Sequence, residues 1–364
     1  MIDDPSRDRQ DYAPILTIRP EIVERNARRI ADRFDGDLVG VTKGVGGDPR
    51  VARAMVDGGA TAIADSRLAN LRRLGDRVDC DRYLLRPPMR HEIDAVVRDA
   101  DVSFQSEPSV LRAIAAAASR RGIDHRVVLA VDVGDRREGV LLDDLAATLS
   151  VAAEMDGIEV AGVAAHTGSL NGVVPTVESV SRFVDCLERA EESIGRQFPI
   201  CSAGSSNTLG LCFDGDLPER VTQLRIGEAI LLGTDPTTGE PLPGFETDAV
   251  VLSADVIECK AKPSTPAGPT GRDAFGESPT VEDRGVRDRA IVAMGRVDAP
   301  VDGLTAVRES IDVLGASSDH AVLDVTAVQE SIRPGDTLAF ELDYGALARS
   351  AASPYVATAY DSSH

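Results

Sequence analysis

A single lysine at the end of an apolar run is the residue whose chemistry stands out in this sequence. Lys43 follows the run Gly40–Thr42 and precedes a glycine-rich stretch. The chain has 39 basic residues, and only Lys43, Lys260 and Lys262 among them are lysine. Arginine cannot lose its proton or condense with a carbonyl, whereas a lysine moved out of water can become a neutral amine, form a Schiff base and transfer protons. We therefore interpret Lys43 as a catalytic amine.

Two other interpretations of this stretch have less support. A lysine at a strand end is ordinarily a solvated surface charge, but this chain uses arginine almost everywhere for that purpose. The glycines at 44, 46 and 47 lack the full dinucleotide-binding pattern, so they are weak evidence for a nicotinamide cofactor.

The charge balance argues against a nucleic-acid partner and favours a high-salt environment. The net charge of -21 comes from 60 acidic and 39 basic residues. Because a phosphate backbone requires a basic face, we expect no nucleic-acid partner. Abundant carboxylates with almost no lysine favour a halophilic protein, since high salt screens the self-repulsion of such charge. An ordinary acidic cytoplasmic protein is the alternative.

The remaining composition predicts a cytoplasmic protein without a metal centre. We find no basic start followed by an apolar run, and no apolar stretch of about 20 residues that could cross a membrane. The five cysteines are scattered and form no CxxC pair, so neither a disulfide framework nor a zinc site is indicated.

Eight short apolar runs alternate with helix-like segments over the first two thirds of the chain. Continuous apolar runs are typical of parallel strands buried on both faces, and eight such units favour a (β/α)8 TIM barrel. An open doubly wound sheet is the alternative. The predicted strands are Asp37–Thr42, Ala62–Ala64, Tyr83–Leu85, Val102–Phe104, Val127–Val131, Ile158–Ala165, Ile200–Ser202 and Gln223–Ile226.

The barrel prediction places several polar residues at one face. Functional side chains of such barrels follow the carboxyl ends of the strands. Lys43 follows the first predicted strand, and Arg137, His166, Ser206 and Gly227 follow later ones.

Beyond about Phe245 the pattern changes to short alternating runs separated by proline- and glycine-rich turns. We predict a barrel domain over residues 15–245 and a mainly β C-terminal domain over 246–364. Whether the N-terminal segment 1–18 joins this second domain is left open. Residues 262–276 are predicted to be a long loop.

Four ordered sequence blocks resemble the alanine racemase family of fold-type III pyridoxal-phosphate enzymes. They are Val41–Gly44, Val131–Gly139, Leu224–Glu228 and Asp343–Tyr344. Four further blocks are similar to the ornithine racemase-like branch, namely Ala64–Arg67, Leu85–Met89, Asp273–Gly276 and Leu314–His320. The resemblance extends from about Ile15 to Tyr355. It implies pyridoxal 5'-phosphate as the cofactor.

The resemblance also implies roles for residues of the barrel. Lys43 corresponds to the lysine that bonds to the cofactor and acts as one of two bases at the α-carbon. Arg225 corresponds to an arginine set against the pyridine nitrogen, which leaves the ring neutral and favours racemisation over transamination. Arg137 corresponds to an arginine near the phenolic oxygen, and His166 to a histidine that contacts the ring-nitrogen arginine. An ion pair for Arg225 and a core position for His166 are the alternatives.

A second group of residues is predicted to bind the phosphate of the cofactor. Barrels of this kind often bind phosphate with the loops after the last two strands. Ser206 and the backbone amides around Gly227 and Glu228 fit this description, with Tyr344 supplying a phenol by resemblance. A serine that only caps a helix would be compatible with the same role.

The second catalytic base departs from the family pattern. Alanine racemases use a tyrosine from the partner's C-terminal domain, but this chain has no tyrosine between Tyr83 and Tyr344. Asp273 is the candidate base that we select. The alternatives are that Asp273 only satisfies backbone amides in a turn, or that the base belongs to the stretch 318–320, which holds Ser318, Asp319 and His320.

The resemblance implies a racemase for ornithine or a similar basic amino acid. It also implies a homodimer whose active sites are completed by the partner's C-terminal domain. Another enzyme on the same cofactor, such as a decarboxylase, is one alternative. A non-catalytic pyridoxal-phosphate carrier is the other, although such relatives need only the barrel.

Overall fold

The computed structural model describes residues 14–278 and 280–361. Residues 1–13 of the N-terminal segment, residue 279 and residues 362–364 lie outside the described residues. The chain divides into two compact units: Glu21–Glu246, and the segments before and after it. The first strand, β1 (Ile15–Ile18), pairs with strands near the end of the chain, so the structure places it in the second unit although the predicted barrel range began at residue 15.

The first unit is built on nine strands that run parallel to one another. They are β2 (Asp37–Val41), β3 (Ala62–Asp65), β4 (Asp81–Leu84), β5 (Val102–Gln105), β6 (His125–Asp132), β7 (Val140–Leu141), β8 (Ile158–Ala165), β9 (Ile200–Ala203) and β10 (Gln223–Ile226). All eight predicted strands are present, and β7 is a two-residue addition beside the end of β6.

Eight of these strands close into a ring. β10 pairs with β2, where Arg225 lies opposite Val39, and β5 pairs with β6, where Val102 lies opposite Arg126. The ring β2–β3–β4–β5–β6–β8–β9–β10 therefore has no free edge. The predicted (β/α)8 barrel is confirmed, and the open sheet is excluded.

The interior of the barrel is filled with apolar side chains. The aromatic rings of Tyr83 and Phe104 lie 6.3 Å apart between centroids, in the tilted arrangement that aromatic pairs prefer. The other buried members of this core are small or β-branched and come from five strands: Val39, Val41, Ala62, Ala64, Val102, Val128, Ala161 and Ala164. Such residues suit a parallel strand because they pack closely on both of its faces.

Helices alternate with the strands of the first unit. They are α1 (Pro20–Ala31), α2 (Pro49–Asp57), α3 (Leu68–Leu74), α4 (Ile93–Asp99), α5 (Pro108–Arg121), α6 (Leu145–Ala153), α7 (Val177–Ile194), α8 (Leu209–Asp214) and α9 (Glu228–Leu232). Asp48 and Thr176 cap α2 and α7 by accepting backbone N–H groups. Within residues 14–278 and 280–361, no helix has the length and apolarity to cross a membrane.

The described part of the second unit is a mostly antiparallel sheet with one α-helix, α10 (Tyr344–Ala352). Its further strands are β11 (Val250–Pro263), β12 (Val286–Val292), β13 (Leu304–Ala306), β14 (Asp312–Ala316), β15 (Ala321–Asp324), β16 (Thr337–Leu342) and β17 (Ala357–Tyr360). β1 runs antiparallel to β11 and parallel to β17. The predicted mainly β character of this part is confirmed.

Substitution of Gly162 tests how closely strands β8 and β9 of the barrel approach each other. The pairing of β8 with β6 shifts register beside this residue, and a Cβ at Gly162 would lie 1.9 Å from the carbonyl oxygen of Ile200 on β9. We expect Gly162→Ala to lower the free energy of unfolding by about 3 kcal/mol, because backbone atoms must move apart. Urea unfolding followed by circular dichroism at fixed salt measures this change.

Gly210 in α8 provides the matched control. A Cβ there meets no atom within 4 Å. Gly210→Ala should therefore be neutral or stabilise the protein by up to about 1 kcal/mol through helix propensity. Equal effects of the two substitutions would contradict the close approach of β8 and β9.

Candidate active site

A cavity of about 330 Å³ lies at the carboxyl ends of the barrel strands. Its size is at the lower end of the range typical for small-molecule sites. Four residues that the sequence predicted to act together line it: Lys43, Arg137, His166 and Arg225. The other lining residues are Ser66, Arg67, Leu85, Arg86, Pro87, Phe104, Ala130, Val131, Glu138 and Ala164.

Lys43 begins a short 3₁₀ turn, Lys43–Val45, directly after β2. Its side chain is accessible from the cavity, yet the surrounding protein removes much of its hydration. This desolvation lowers the pKa of the Lys43 amine, and the charge of Arg137 lowers it further, while Asp65 and Glu138 oppose the change. A larger fraction of Lys43 is therefore the neutral, nucleophilic amine than for a lysine in water.

A buried carboxylate fixes the backbone that carries Lys43. Asp65 is fully buried at the end of β3 and accepts a hydrogen bond of 3.0 Å from the Thr42 hydroxyl. It also accepts bonds from the Arg67 backbone N–H and from the Asn70 amide. Burial raises the pKa of Asp65, and these three donors oppose that rise. Asp65 thus joins the loops after β2 and β3, which both contribute to the cavity.

Arg225 is a cation buried within the barrel. Its guanidinium donates to the Ser202 hydroxyl and, over 2.7 Å, to the carbonyl oxygen of Ala165, and it lies 5.3 Å from the ring centroid of Phe104. Burial, followed by repulsion from Arg137, lowers the pKa of Arg225 to about 10. At neutral pH Arg225 remains protonated, so it can donate hydrogen bonds but cannot accept a proton.

His166 follows β8 and faces the same group of cations. Its Nε2 is hydrogen-bonded to the Ser169 hydroxyl. Burial lowers the pKa of the imidazole to about 3, with further contributions from Arg225, Arg137 and Lys43. His166 is therefore neutral at physiological pH, and a direct hydrogen bond between His166 and Arg225 is not among the contacts of either side chain.

Arg137 lies on the loop between β6 and β7. Both its Nε and its second terminal nitrogen donate to the carboxylate of the neighbouring Glu138. Each of the two side chains is about one third exposed, with values of 34% and 33%. Arg137 is thus held in the cavity by a two-bond ion pair.

The barrel residues predicted to bind phosphate, Ser206, Gly227 and Glu228, follow β9 and β10 and are not among the lining residues of this cavity. The Ser206 hydroxyl is buried and accepts a hydrogen bond of 3.1 Å from the backbone N–H of Ala229 in α9. Gly227 allows β10 to end close to β2, because a Cβ there would lie 3.0 Å from the carbonyl oxygen of Val41. Glu228 is the first residue of α9.

Two predicted residues belong to the second unit. Tyr344 is the first residue of α10, which Asp343 caps. Asp273 lies in the loop between β11 and β12, where its Oδ1 accepts the backbone N–H groups of Phe275 and Glu277. The bond from Glu277 is the largest cause of a lowered Asp273 pKa. This is the turn arrangement that the sequence offered as an alternative role for Asp273.

The sequence did not assign individual roles to several residues that the structure brings to the site. Arg86 and Glu138 line the cavity, and the buried Nε of Arg86 has no hydrogen-bond partner within the described residues. Asp65 lies behind the cavity in the network with Thr42. The signal for all three was present in the blocks Ala64–Arg67, Leu85–Met89 and Val131–Gly139, which were identified only as similar to the family.

Comparison with known proteins identifies the family. The family model described as "Alanine racemase, N-terminal domain" matches residues 18–235, which is more than half of the chain. The chain belongs to the alanine racemase family. The matched range includes every barrel strand.

Two curated relatives cover most of the sequence. The ornithine racemase of Acetoanaerobium sticklandii is 37% identical over 81% of this chain and 83% of its own length. The lysine racemase of Thermotoga maritima is 35% identical over 96% of this chain and 99% of its own length.

A solved structure shows the same fold at low sequence identity. The alanine racemase from D-cycloserine-producing Streptomyces lavendulae superposes with a TM-score of 0.71. The two proteins are 19% identical, and the match covers 97% of this chain and 98% of the other.

The neutrality of His166 gives a test of the site's electrostatics. With a folded-state pKa of about 3 against an ordinary value of 6.5, His166 takes up a proton between these pH values only in the unfolded chain. Unfolding is therefore favoured progressively as pH falls from about 6.5 toward about 3. In an NMR titration of the cofactor-free protein, we expect the His166 ring signals to remain those of neutral imidazole down to about pH 5.

Replacing a neighbouring cation tests whether the surrounding positive charges lower the pKa of His166. Arg225→Met should raise the pKa of His166, because one of the charges that disfavour the imidazolium is removed. A pKa near 6.5 for His166 in the folded wild type would contradict the proposed electrostatics.

Proposed function

We propose that this protein is a pyridoxal-phosphate-dependent racemase that interconverts the L- and D-forms of a basic amino acid. The observation that carries the proposal is the Lys43 amine, with its lowered pKa, in one cavity with Arg137, His166 and the buried cation Arg225. Membership of the alanine racemase family supports it.

The residues present fit the proposed cofactor. Pyridoxal phosphate carries an aldehyde, which requires a neutral amine, and a phosphate and a phenolic oxygen, which require donors or cations. The cavity supplies the Lys43 amine and four guanidinium groups, and the unpartnered buried Nε of Arg86 is a donor available to an anionic ligand. We propose Arg137, His166 and Arg225 as cofactor-binding residues, together with Ser206, Gly227, Glu228 and Tyr344.

When bound, the cofactor withdraws electrons from the α-carbon of an amino acid and so acidifies its C–H bond. Lys43 would hold the cofactor covalently and, once released as a free amine, accept the α-proton on one face. Its lowered pKa suits both tasks, because the amine must be unprotonated to form the bond and to act as a base.

Arg225 would control what happens to the charge that proton removal leaves behind. Its guanidinium remains protonated at neutral pH despite the lowered pKa of about 10. As a hydrogen-bond donor that keeps its proton, it would contact the ring nitrogen without protonating it. Arg225 would in this way favour immediate return of the proton to the α-carbon, which is the outcome required for racemisation.

A racemase of this kind needs a base on each face of the α-carbon. We propose Asp273 as the second base, with Ser318, Asp319 and His320 as alternatives. The lowered pKa of Asp273 means that it would be a weak base in the state described by the structure.

The relatives supply the substrate class. The names of the two curated relatives specify ornithine and lysine, whose side chains both end in an ammonium group. We propose an amino acid with such a side chain as the substrate.

We also propose a homodimer of two-domain chains that works in the cytoplasm at high salt. The family resemblance supports the dimer, and the two compact units support the division into domains. The net charge of -21 supports the high-salt environment. Five free cysteines fit a reducing compartment.

Deuterium incorporation tests the proposed reaction. In deuterated buffer at high salt, the cofactor-loaded protein should convert L-ornithine or L-lysine into the D-enantiomer with deuterium at the α-carbon. Lys43→Ala should reduce the rate at least about 10³-fold, because it removes both the covalent attachment and one base. Chiral chromatography with mass spectrometry measures both quantities.

Lys260→Ala is the matched control for this test. Lys260 is an exposed lysine on β11 that pairs with Glu258, so its replacement should leave racemisation unchanged. Release of carbon dioxide would instead identify a decarboxylase. Cofactor binding without α-hydrogen exchange into any amino acid would identify a carrier.

Substitution of Asp273 tests the second base. Loss of one base should leave exchange of the α-hydrogen in one enantiomer while abolishing its inversion. We therefore expect Asp273→Asn to retain deuterium incorporation into one enantiomer and to lower racemisation by at least about 10²-fold. The same deuterium assay, run separately on pure L- and pure D-substrate, distinguishes exchange from inversion.

Asp283→Asn provides a control from the same loop. The Asp283 carboxylate also accepts a backbone N–H, that of Gly285, so its substitution makes an equivalent change in turn hydrogen bonding. If both variants lose the same activity, the effect is structural and Asp273 is not the base.

A further inference from the structure

The cavity contains an unequal set of charges. Five basic side chains line it, and Glu138 is the one carboxylate among the described lining residues: the bases are Lys43, Arg67, Arg86, Arg137 and Arg225. His166 adds no compensating charge because it is neutral. Glu138 is therefore surrounded by basic side chains, and its negative charge acts on them.

The ion pair between Arg137 and Glu138 is specific in geometry. Two donors of the guanidinium meet the two carboxylate oxygens separately, with the Nη2–Oε1 bond at 2.6 Å. A fork of this kind restricts the guanidinium in both position and orientation, whereas a single bond would leave it free to rotate. Glu138 thus determines where the long side chain of Arg137 places its charge.

The backbone of the same loop is held by other residues. Asp132 accepts the N–H groups of Gly134 and Arg136. Asp135 accepts the N–H groups of Leu170 and Asn171 from the loop after β8. Neither carboxylate contacts the Arg137 side chain, so these interactions fix the loop and leave the guanidinium to Glu138.

Repulsion would displace Arg137 if Glu138 were neutral. Arg137 lowers the pKa values of Lys43 and Arg225, which shows that its charge acts on both, and Glu138 opposes that effect on both. Without the carboxylate, a guanidinium that is one third exposed can reduce this repulsion by moving toward solvent.

We propose that Glu138 is a positioning residue that holds the Arg137 guanidinium in the cavity against the repulsion of the other cations. Glu138 acts through Arg137 and not through the substrate. The proposal rests on the proposed racemase function, since the cofactor and the reacting amino acid are the groups that Arg137 would contact.

A double-mutant cycle tests the proposal. We compare kcat/KM for wild type, Glu138→Gln, Arg137→Ala and the double variant. Glu138→Gln should lower kcat/KM by about 10–100-fold, because displacing a binding group by about 1 Å can cost about 10²-fold. In the Arg137→Ala background the same substitution should change kcat/KM by less than about 2-fold, since its target is gone.

Cofactor binding provides a second readout that does not depend on turnover. Cofactor-free protein is titrated with pyridoxal phosphate and followed by the visible absorbance of the Schiff base. We expect Glu138→Gln to weaken binding about tenfold, as for the loss of one charged hydrogen bond, and to have no further effect in the Arg137→Ala background.

Glu24→Gln is the matched control in both measurements. Glu24 pairs with Arg28 at an exposed site on α1, and neither residue lines the cavity, so this variant removes a comparable exposed carboxylate outside the site. Its kcat/KM and cofactor affinity should equal those of the wild type. An equal loss in this variant would show a general charge effect and overturn the proposal.

Two other results would also overturn it. If the losses of the single variants multiply in the double variant, Glu138 acts independently of Arg137. If Glu138→Gln impairs ornithine and lysine but spares neutral norleucine, Glu138 contacts the cationic side chain of the substrate. A wild type that racemises nothing would refute the proposed function, and the cofactor titration would still decide the role of Glu138.

Discussion

The hydrogen-bonded pairing of β10 with β2 is the interaction on which the rest of the structure depends. It places Arg225 opposite Val39 and so brings the last barrel strand beside the first. In an open sheet these strands would form opposite edges, and Lys43 and Arg225 would lie far apart. Because the ring closes, every strand directs its carboxyl end to one rim, and the cavity forms there.

The closed barrel also creates an electrostatic environment that affects its basic residues differently. Arginine keeps its proton there, whereas lysine and histidine lose theirs more readily. Arg225 is buried but retains its charge, since the Ser202 hydroxyl and the Ala165 carbonyl accept its hydrogen bonds. The same surroundings shift Lys43 and His166 toward their neutral forms. Fixed cations thus lie next to nitrogen bases whose pKa values are lowered, and this combination suits a site that must bind anions and also move protons.

The barrel was predictable from sequence because its signals are local. Each buried parallel strand is a continuous apolar run, and the alternation of such runs with helical segments indicates the topology. Lys43 stood out through lysine scarcity alone, and strand ends indicated where its neighbours would lie. The helix α10 was missed, although Asp343 followed by an alanine-rich stretch is a usable signal for a helix start.

Contacts that depend on tertiary packing or on side-chain conformation were not predictable in the same way. The role of Asp65 depends on the packing of the loop after β3 against Thr42, and that of Glu138 on the side-chain conformation of Arg137. Neither is encoded by residue type and spacing. The placement of β1 likewise depends on partners from the other end of the chain, for which a short apolar run of four residues carries no information.

The position of β1 has a consequence for biosynthesis. Ile15 pairs with Ala357 and Ser253, so β1 leaves the ribosome well before the strands with which it forms its sheet. The barrel lies between these segments in sequence and can fold while translation continues. Contacts of such high sequence separation are slow to form because of the entropy of closing the intervening loop. Completion of the second sheet is therefore late relative to the barrel, and until β11 is synthesised β1 is an unpaired strand that must avoid pairing with other nascent chains.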